Sequence, residues 1–126
     1  MKNKIGDGLR VKNSNWEFRG SVVKNFDRHI SKSIPFYKTG QDLVTQASDF
    51  FIKKDTICYE IGCSTGTLTN KLAKKHNSKK QAKFVGIDIE KDMIRRANKK
   101  KTSSRIKFVC ADILKYKLKK SDLIIS

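Results

Sequence analysis

The apolar residues change their period several times along the chain, and each change predicts an element. Val22, Val23, Phe26 and Ile30 recur at spacings of three and four, which predicts an amphipathic helix over 21–30. Ser33-Ile34-Pro35-Phe36-Tyr37 breaks that pattern, because proline lacks an amide and disfavours helix in the residue before it. A second helix is expected to begin at Thr39 or Gly40, to bury Leu43, Val44, Ala47, Phe50 and Phe51, and to end by Lys53-Lys54-Asp55. Thr56-Ile57-Cys58-Tyr59-Glu60-Ile61 then has the branched and aromatic content of a buried strand, and Leu68, Leu72 and Ala73 return to helical spacing. Phe84-Val85-Gly86-Ile87-Asp88-Ile89 reads as the second strand. It is followed by a helix with acids in its first turn and Met93, Ile94 and Ala97 on one face. Ile106, Phe108 and Cys110 alternate with Lys107 and Val109 in a third strand, and Leu123-Ile124-Ile125 forms a fourth.

Strands alternating with helices point to an α/β sheet of parallel strands. The 126 residues leave room for one domain, and 37% hydrophobic content suffices for one core. Residues 1–20 are expected to be an irregular segment lying along the surface, pinned by Trp16 and Phe18, with the domain proper over 21–126. No stretch approaches the roughly 20 apolar residues of a membrane span, and Met1-Lys2-Asn3-Lys4-Ile5-Gly6-Asp7-Gly8 lacks an apolar signal core. A membrane is therefore not an expected partner. Cys58, Cys63 and Cys110 are odd in number and without CxxC spacing, so a reducing, cytoplasmic setting fits. His29 and His76 have no neighbours at metal-ligand spacing, and no metal is expected; His76 reads as part of a solvated cap in Lys74-Lys75-His76-Asn77-Ser78-Lys79-Lys80.

The net charge of +17 suits contact with RNA phosphates. Against this, lysine is spread over nearly every polar stretch, and no arginine-rich patch or interleaving of aromatics with basic residues stands out.

The chemistry concentrates in Glu60-Ile61-Gly62-Cys63-Ser64-Thr65-Gly66-Thr67, where a strand opens through two glycines into a helix. Glycines 62 and 66 allow positive φ and close approach of backbone to a ligand, and the helix presents unpaired amides at its start. The spacing GxxxG is not the GxGxxG of a dinucleotide site, and Thr67 stands where a phosphate-binding loop needs lysine. Glu60, two residues before the first glycine, suits a cationic group more than an anionic one.

These residues resemble motif I of the class I S-adenosylmethionine-dependent methyltransferases. Phe84–Ile89 resembles that family's second strand, and Lys107-Phe108-Val109-Cys110-Ala111-Asp112-Ile113 its third. Phe26-Asp27, Ser33-Ile34-Pro35-Phe36-Tyr37 and the Gly62-Cys63-Ser64 turn are similar, more closely, to the carboxy-S-adenosylmethionine synthase of the tRNA wobble-uridine pathway. The resemblance implies a Rossmann-like sheet in the strand order 3-2-1-4, with helices on both faces, and a cofactor that is S-adenosylmethionine or its carboxylated form. It implies that Glu60, Gly62, Cys63, Ser64 and Gly66 surround the cofactor, that Asp88 holds the ribose hydroxyls and that Ile89 lies against adenine. Asp112 would receive the adenine amino group, the Ile113 amide would meet a ring nitrogen, and Tyr37 would reach in from the leading helices. Ser126 sits where the synthase relatives have asparagine.

Bland readings stand beside these: Cys63 as a small packing residue, Tyr37 as an aromatic under the next helix, Asp112 as a turn former and Ile89 as core. A full class I fold has seven strands and this sequence supplies four, so it reads as a truncated product ending on an unprotected edge strand. The expected function is methyl transfer to a small-molecule or RNA acceptor. The alternatives are carboxy-cofactor synthesis and a catalytically incomplete nucleotide- or RNA-binding fragment. No residue is identifiable as a general base, and a homodimer is compatible with the sequence.

Overall fold

The computed structural model describes residues 11–12, 15–16 and 20–126. Two short antiparallel strands, β1 (Val11–Lys12) and β2 (Asn15–Trp16), pair in the leading segment. The expected pinning by Trp16 and Phe18 concerns side chains outside the described residues. Helix α1 (Ser21–Ser33) stops where Pro35 requires it to, with Ile34 extended at φ −108° and ψ 113°. Phe36 then takes a left-handed conformation, φ 60°, and α2 (Tyr37–Ala47) follows, continuing into a 3-10 turn at Ser48–Phe50.

Helix α2 thus starts two or three residues earlier than expected, and its expected burial is overturned. Leu43 is 65% exposed and Phe50 84%, Phe51 is also exposed, and α2 contributes only the partly buried Val44 to the core. Polar ties hold α2 in place instead: Lys71 pairs with Asp42 at 2.9 Å, and Ser48 is buried against His76.

Strand β3 (Ile57–Ile61) lies inside a four-stranded parallel sheet. It pairs with β4 (Lys83–Asp88) on one side and with β6 (Leu123–Ile125) on the other, while β5 (Ile106–Cys110) extends the β4 edge. The order β5-β4-β3-β6 is the 3-2-1-4 arrangement expected. Helices α3 (Thr67–Lys75) and α4 (Lys91–Lys100) make the crossovers. Both crossovers step the same way along the sheet, so right-handed connections place both helices on one face. Their apolar residues Leu68, Leu72, Ala73, Ile94 and Ala97 meet Cys58, Phe84, Ile106 and Phe108 there. Helix α1 joins the same layer through Val23 and Phe26 against Met93.

Among the described residues, α3 and α4, with α1 beside α4 and Val44 of α2, pack against this face of the sheet. The return step from β5 to β6 runs in the opposite direction and crosses the other face as coil, 111–122, with the Lys119 amide donating to the Tyr59 hydroxyl at 3.1 Å. Ile124, on that second face, stays 52% exposed.

His76 also departs from expectation. It is 2% exposed, stacked on Phe84 with ring centroids 6.4 Å apart. Arg105 caps the end of α3, donating to the carbonyl oxygens of Ala73 (2.7 Å), His76 and Lys79.

Candidate functional site

The carboxyl ends of β3, β4 and β5 converge on the turn between β3 and α3. Its path is fixed by the backbone of β4: the amides of Gly62 and Cys63 both donate to the Ile87 carbonyl, at 2.8 and 3.0 Å. Three residues of the turn have positive φ, Gly62 at 72°, Ser64 at 50° and Gly66 at 77°. A Cβ on Gly62 would meet nothing within 4 Å, so this glycine faces open space, whereas one on Gly66 would collide with the Phe108 ring. Gly86 is confined in the same way, between Phe108 and the Cys63 sulfur. The two glycines of the motif thus do different things: the first leaves room above the turn and the second lets the turn close onto the sheet.

Asp88 ends β4 beside this turn. One carboxylate oxygen accepts the Ser64 amide at 2.8 Å and the other the Glu90 amide at 2.9 Å, joining the turn to the start of α4. Each oxygen retains a further lone pair, so the group can still accept hydroxyl donors. A cavity of about 230 Å³ opens next to it, lined by Ile61, Gly62, Ile87, Asp88, Ile89, Ala111, Asp112 and Ile113. Asp112 forms a turn, its Oδ1 accepting the Leu114 amide at 3.0 Å, and presents its side chain at the cavity edge. Ile89 is 65% exposed, which places it on the rim and not in the core.

Glu60 lies part-buried one strand over, with Thr69 of α3 donating its hydroxyl to the carboxylate. Burial pushes Glu60 up to about 7 against the lowering effect of Thr69, and the Asp88 charge adds to the rise. Tyr37, half-buried at the start of α2, is raised by burial and then by the charges of Glu60 and Asp27. Cys63 is 3% exposed and burial pushes its thiol up, as suits a packing residue. Ser126 is exposed, one residue past β6 and outside the group lining the cavity.

The structure therefore gathers Gly62, Asp88, Ile89, Asp112 and Ile113 around one cavity. Cys63, Ser64 and Gly66 form the turn beside it, and Glu60 and Tyr37 share an electrostatic environment nearby. Sequence reasoning missed Thr69, whose spacing of nine from Glu60 gave no motif. It also passed over Thr65, Thr67 and Lys100 around the turn. The cavity fits a nucleoside: apolar walls for a flat base, carboxylates at two edges for hydroxyl or amino donors, and an open glycine approach.

A family model described as methyltransferase domain matches residues 52–126. The chain is 36% identical over 117 residues to the carboxy-S-adenosyl-L-methionine synthase of Sulfurimonas denitrificans, covering 88% of this chain and 47% of that protein. It is 32% identical over 112 residues to the enzyme of the same name from Staphylococcus epidermidis, covering 88% and 48%. The chain spans about half the length of these relatives. Its fold is similar to that of an S-adenosyl-L-methionine-dependent methyltransferase from Methanococcus maripaludis, with a TM-score of 0.66 and 24% identity over 94% of this chain and 52% of the other.

Proposed function

The chain belongs to the methyltransferase-domain family, and on that premise we propose that it binds S-adenosylmethionine and transfers the methyl group to a small-molecule or RNA acceptor. The observation that carries this reading is the cavity of about 230 Å³ lined by Gly62 of the glycine turn and by both Asp88 and Asp112. When bound, the cofactor supplies a methyl carbon made electrophilic by its sulfonium.

The chain's own residues have separable tasks in this reading. Asp88 accepts the ribose hydroxyls on the lone pairs that Ser64 and Glu90 leave free. Asp112 takes the adenine amino group, the Ile113 amide faces a ring nitrogen, and Ile89 lies along the base. Gly62, Cys63, Ser64 and Gly66 let the backbone come close to the cofactor's polar chain, with Cys63 packed beneath. Glu60 and Tyr37 would attend the cationic end, and Ser126, exposed just past β6, would meet the transferred group from outside this cavity. Methyl transfer then needs alignment of the acceptor and exclusion of water more than proton transfer. The unit responsible is 21–126, and the free Cys58, Cys63 and Cys110 suit a cytoplasmic protein. The charge of +17 favours an RNA acceptor, and the exposed Leu43 and Phe50 offer an apolar face to a second copy.

A second reading is favoured by the names of the relatives. The chain would handle carboxy-S-adenosylmethionine, in which the methyl carbon has given up a proton and taken carbon dioxide lost by a second metabolite, the proton leaving with that metabolite's departing group, and the product would serve a tRNA modification. Native mass spectrometry of the purified chain separates the two. Retention of S-adenosylmethionine or S-adenosylhomocysteine supports methyl transfer, and retention of the carboxylated cofactor supports the synthase. Failure to bind any of the three, alone or when added, overturns both.

A further inference from the structure

Asp27, on α1, is bonded to the glycine turn at residues other than the one Asp88 holds. Its Oδ1 accepts the hydroxyls of Thr65 at 2.7 Å and Thr67 at 2.9 Å, and its Oδ2 takes the Lys100 ammonium at 2.6 Å. Lys100, in the last turn of α4, also donates to Thr67 Oγ1 at 3.1 Å and Thr65 Oγ1 at 3.3 Å. Burial by itself raises the Asp27 carboxyl, but the bonds from Lys100, Thr65 and Thr67 together outweigh it and hold the group below the usual carboxylate range.

The two threonines flank Gly66, the left-handed residue that lets the turn close onto Phe108. Thr65 is 1% exposed, so its hydroxyl has no access to water as a substitute partner. A hydroxyl bond to a carboxylate is stronger than one to a neutral acceptor, and two such bonds on one oxygen fix the direction of both side chains. The turn is thus held at Ser64 by Asp88 from the sheet and at Thr65 and Thr67 by Asp27 from the leading helix.

We propose that Asp27 is a positioning residue of the site: it sets the conformation of residues 62–67 that receives the adenosyl ligand, and so makes α1 a working part of the cofactor pocket. This rests on the adenosyl reading above for its ligand, but not for its effect on the turn. A purely structural staple between α1 and α4 would lower stability without altering the turn in the folded protein.

The test uses the whole chain with Asp27→Asn, Thr67→Val, both together, and Asp49→Asn as a control that removes the Lys75 ion pair at the other end of α3. Two readouts are taken well below every unfolding transition: amide hydrogen exchange across 62–67 without ligand, and affinity for S-adenosylhomocysteine by calorimetry. Asp27→Asn and Thr67→Val are each expected to speed exchange in the turn and to weaken binding about tenfold, the loss of one charge-assisted hydrogen bond. The double variant should weaken it by less than the product, because one interaction is removed twice. Asp49→Asn should change neither. Unchanged exchange and affinity in Asp27→Asn, with only a lower melting point, overturns the proposal. If exchange responds but the unaltered chain does not bind S-adenosylhomocysteine, the positioning of the turn stands and the choice of ligand falls.

Discussion

Thr69 of α3 donates its hydroxyl to the Glu60 carboxylate near the end of β3, and this is the bond that keeps a part-buried acid tolerable beside the turn. Burial nevertheless pushes Glu60 up to about 7 from 4.5. The folded state therefore holds a proton that the unfolded chain releases near pH 4.5. Glu60 is neutral in its effect below that pH, and its cost grows as pH rises, reaching about 3 kcal/mol above pH 7. Glu60→Gln should remove this fall in stability between pH 4.5 and 7, read by urea denaturation across pH. If Glu60 faces the cationic end of the cofactor, affinity should also rise with pH through 7 in the natural chain and stay flat in Glu60→Gln.

His76 titrates in the opposite sense. The Ser48 hydroxyl donates to the Thr45 carbonyl at 2.6 Å and so accepts a hydrogen bond from His76 Nε2–H at 2.7 Å, which keeps the proton of the neutral ring on Nε2. Burial, then the Lys79 charge, holds His76 below its usual 6.5. The contribution of the neutral ring is complete above pH 6.5 and is lost as pH falls below it. Ser48→Ala should cost about 1–2 kcal/mol at pH 8, where a buried donor is left unpaired. In a Glu60→Gln background, stability should fall on acidification below pH 6.5, and an increase there would contradict the assignment.

Gly66 carries two demands at once, a φ of 77° and a close approach to Phe108. Gly66→Ala should therefore lose about 2–4 kcal/mol, from backbone strain and overpacking together. Adding Phe108→Leu should recover the packing part alone, and full recovery in denaturant melts would show that the conformation at Gly66 is unstrained.

Asp88 joins the turn to α4 as well as facing the cavity. Asp88→Ala should abolish calorimetric binding of S-adenosylhomocysteine and lower the melting point, since two amides lose their acceptor. Asp88→Asn keeps only part of that acceptance and should bind about 10-fold or more weakly, the scale of one charged hydrogen bond. Undiminished binding in Asp88→Ala would remove it from the ligand's surroundings.

The sheet was legible because each strand carried its own period and each crossover helix its own apolar face. The strand order followed from family resemblance. The burial of α2 was not legible: Leu43, Phe50 and Phe51 repeat at spacings that suit a buried face or an exposed one, and only tertiary contacts decide. The placement of His76 failed for a related reason, since a histidine in a lysine run looks solvated until Phe84 and Ser48 close over it. At the site, the glycines and terminal acids were visible as types and positions. Thr69 and Lys100 were not, and Asp27, Thr65 and Thr67 stood within quoted motifs without their roles, because the bonds to Asp27, Glu60 and Lys100 join residues from 9 to 73 positions apart and obey no local spacing.

The sheet register also bears on the order of assembly. Strands β3, β4 and β5 join through neighbouring segments, whereas Cys58 pairs with Leu123, 65 positions further along. Closing that loop brings little reward until β3 is already in place, so contacts of high sequence separation form late. Leu123 and Ile125 should therefore act on the rate at which the folded chain comes apart, and Phe84 and Ile87 on the rate at which it forms. The glycine turn is then expected to seat on β4 before β6 pairs with β3.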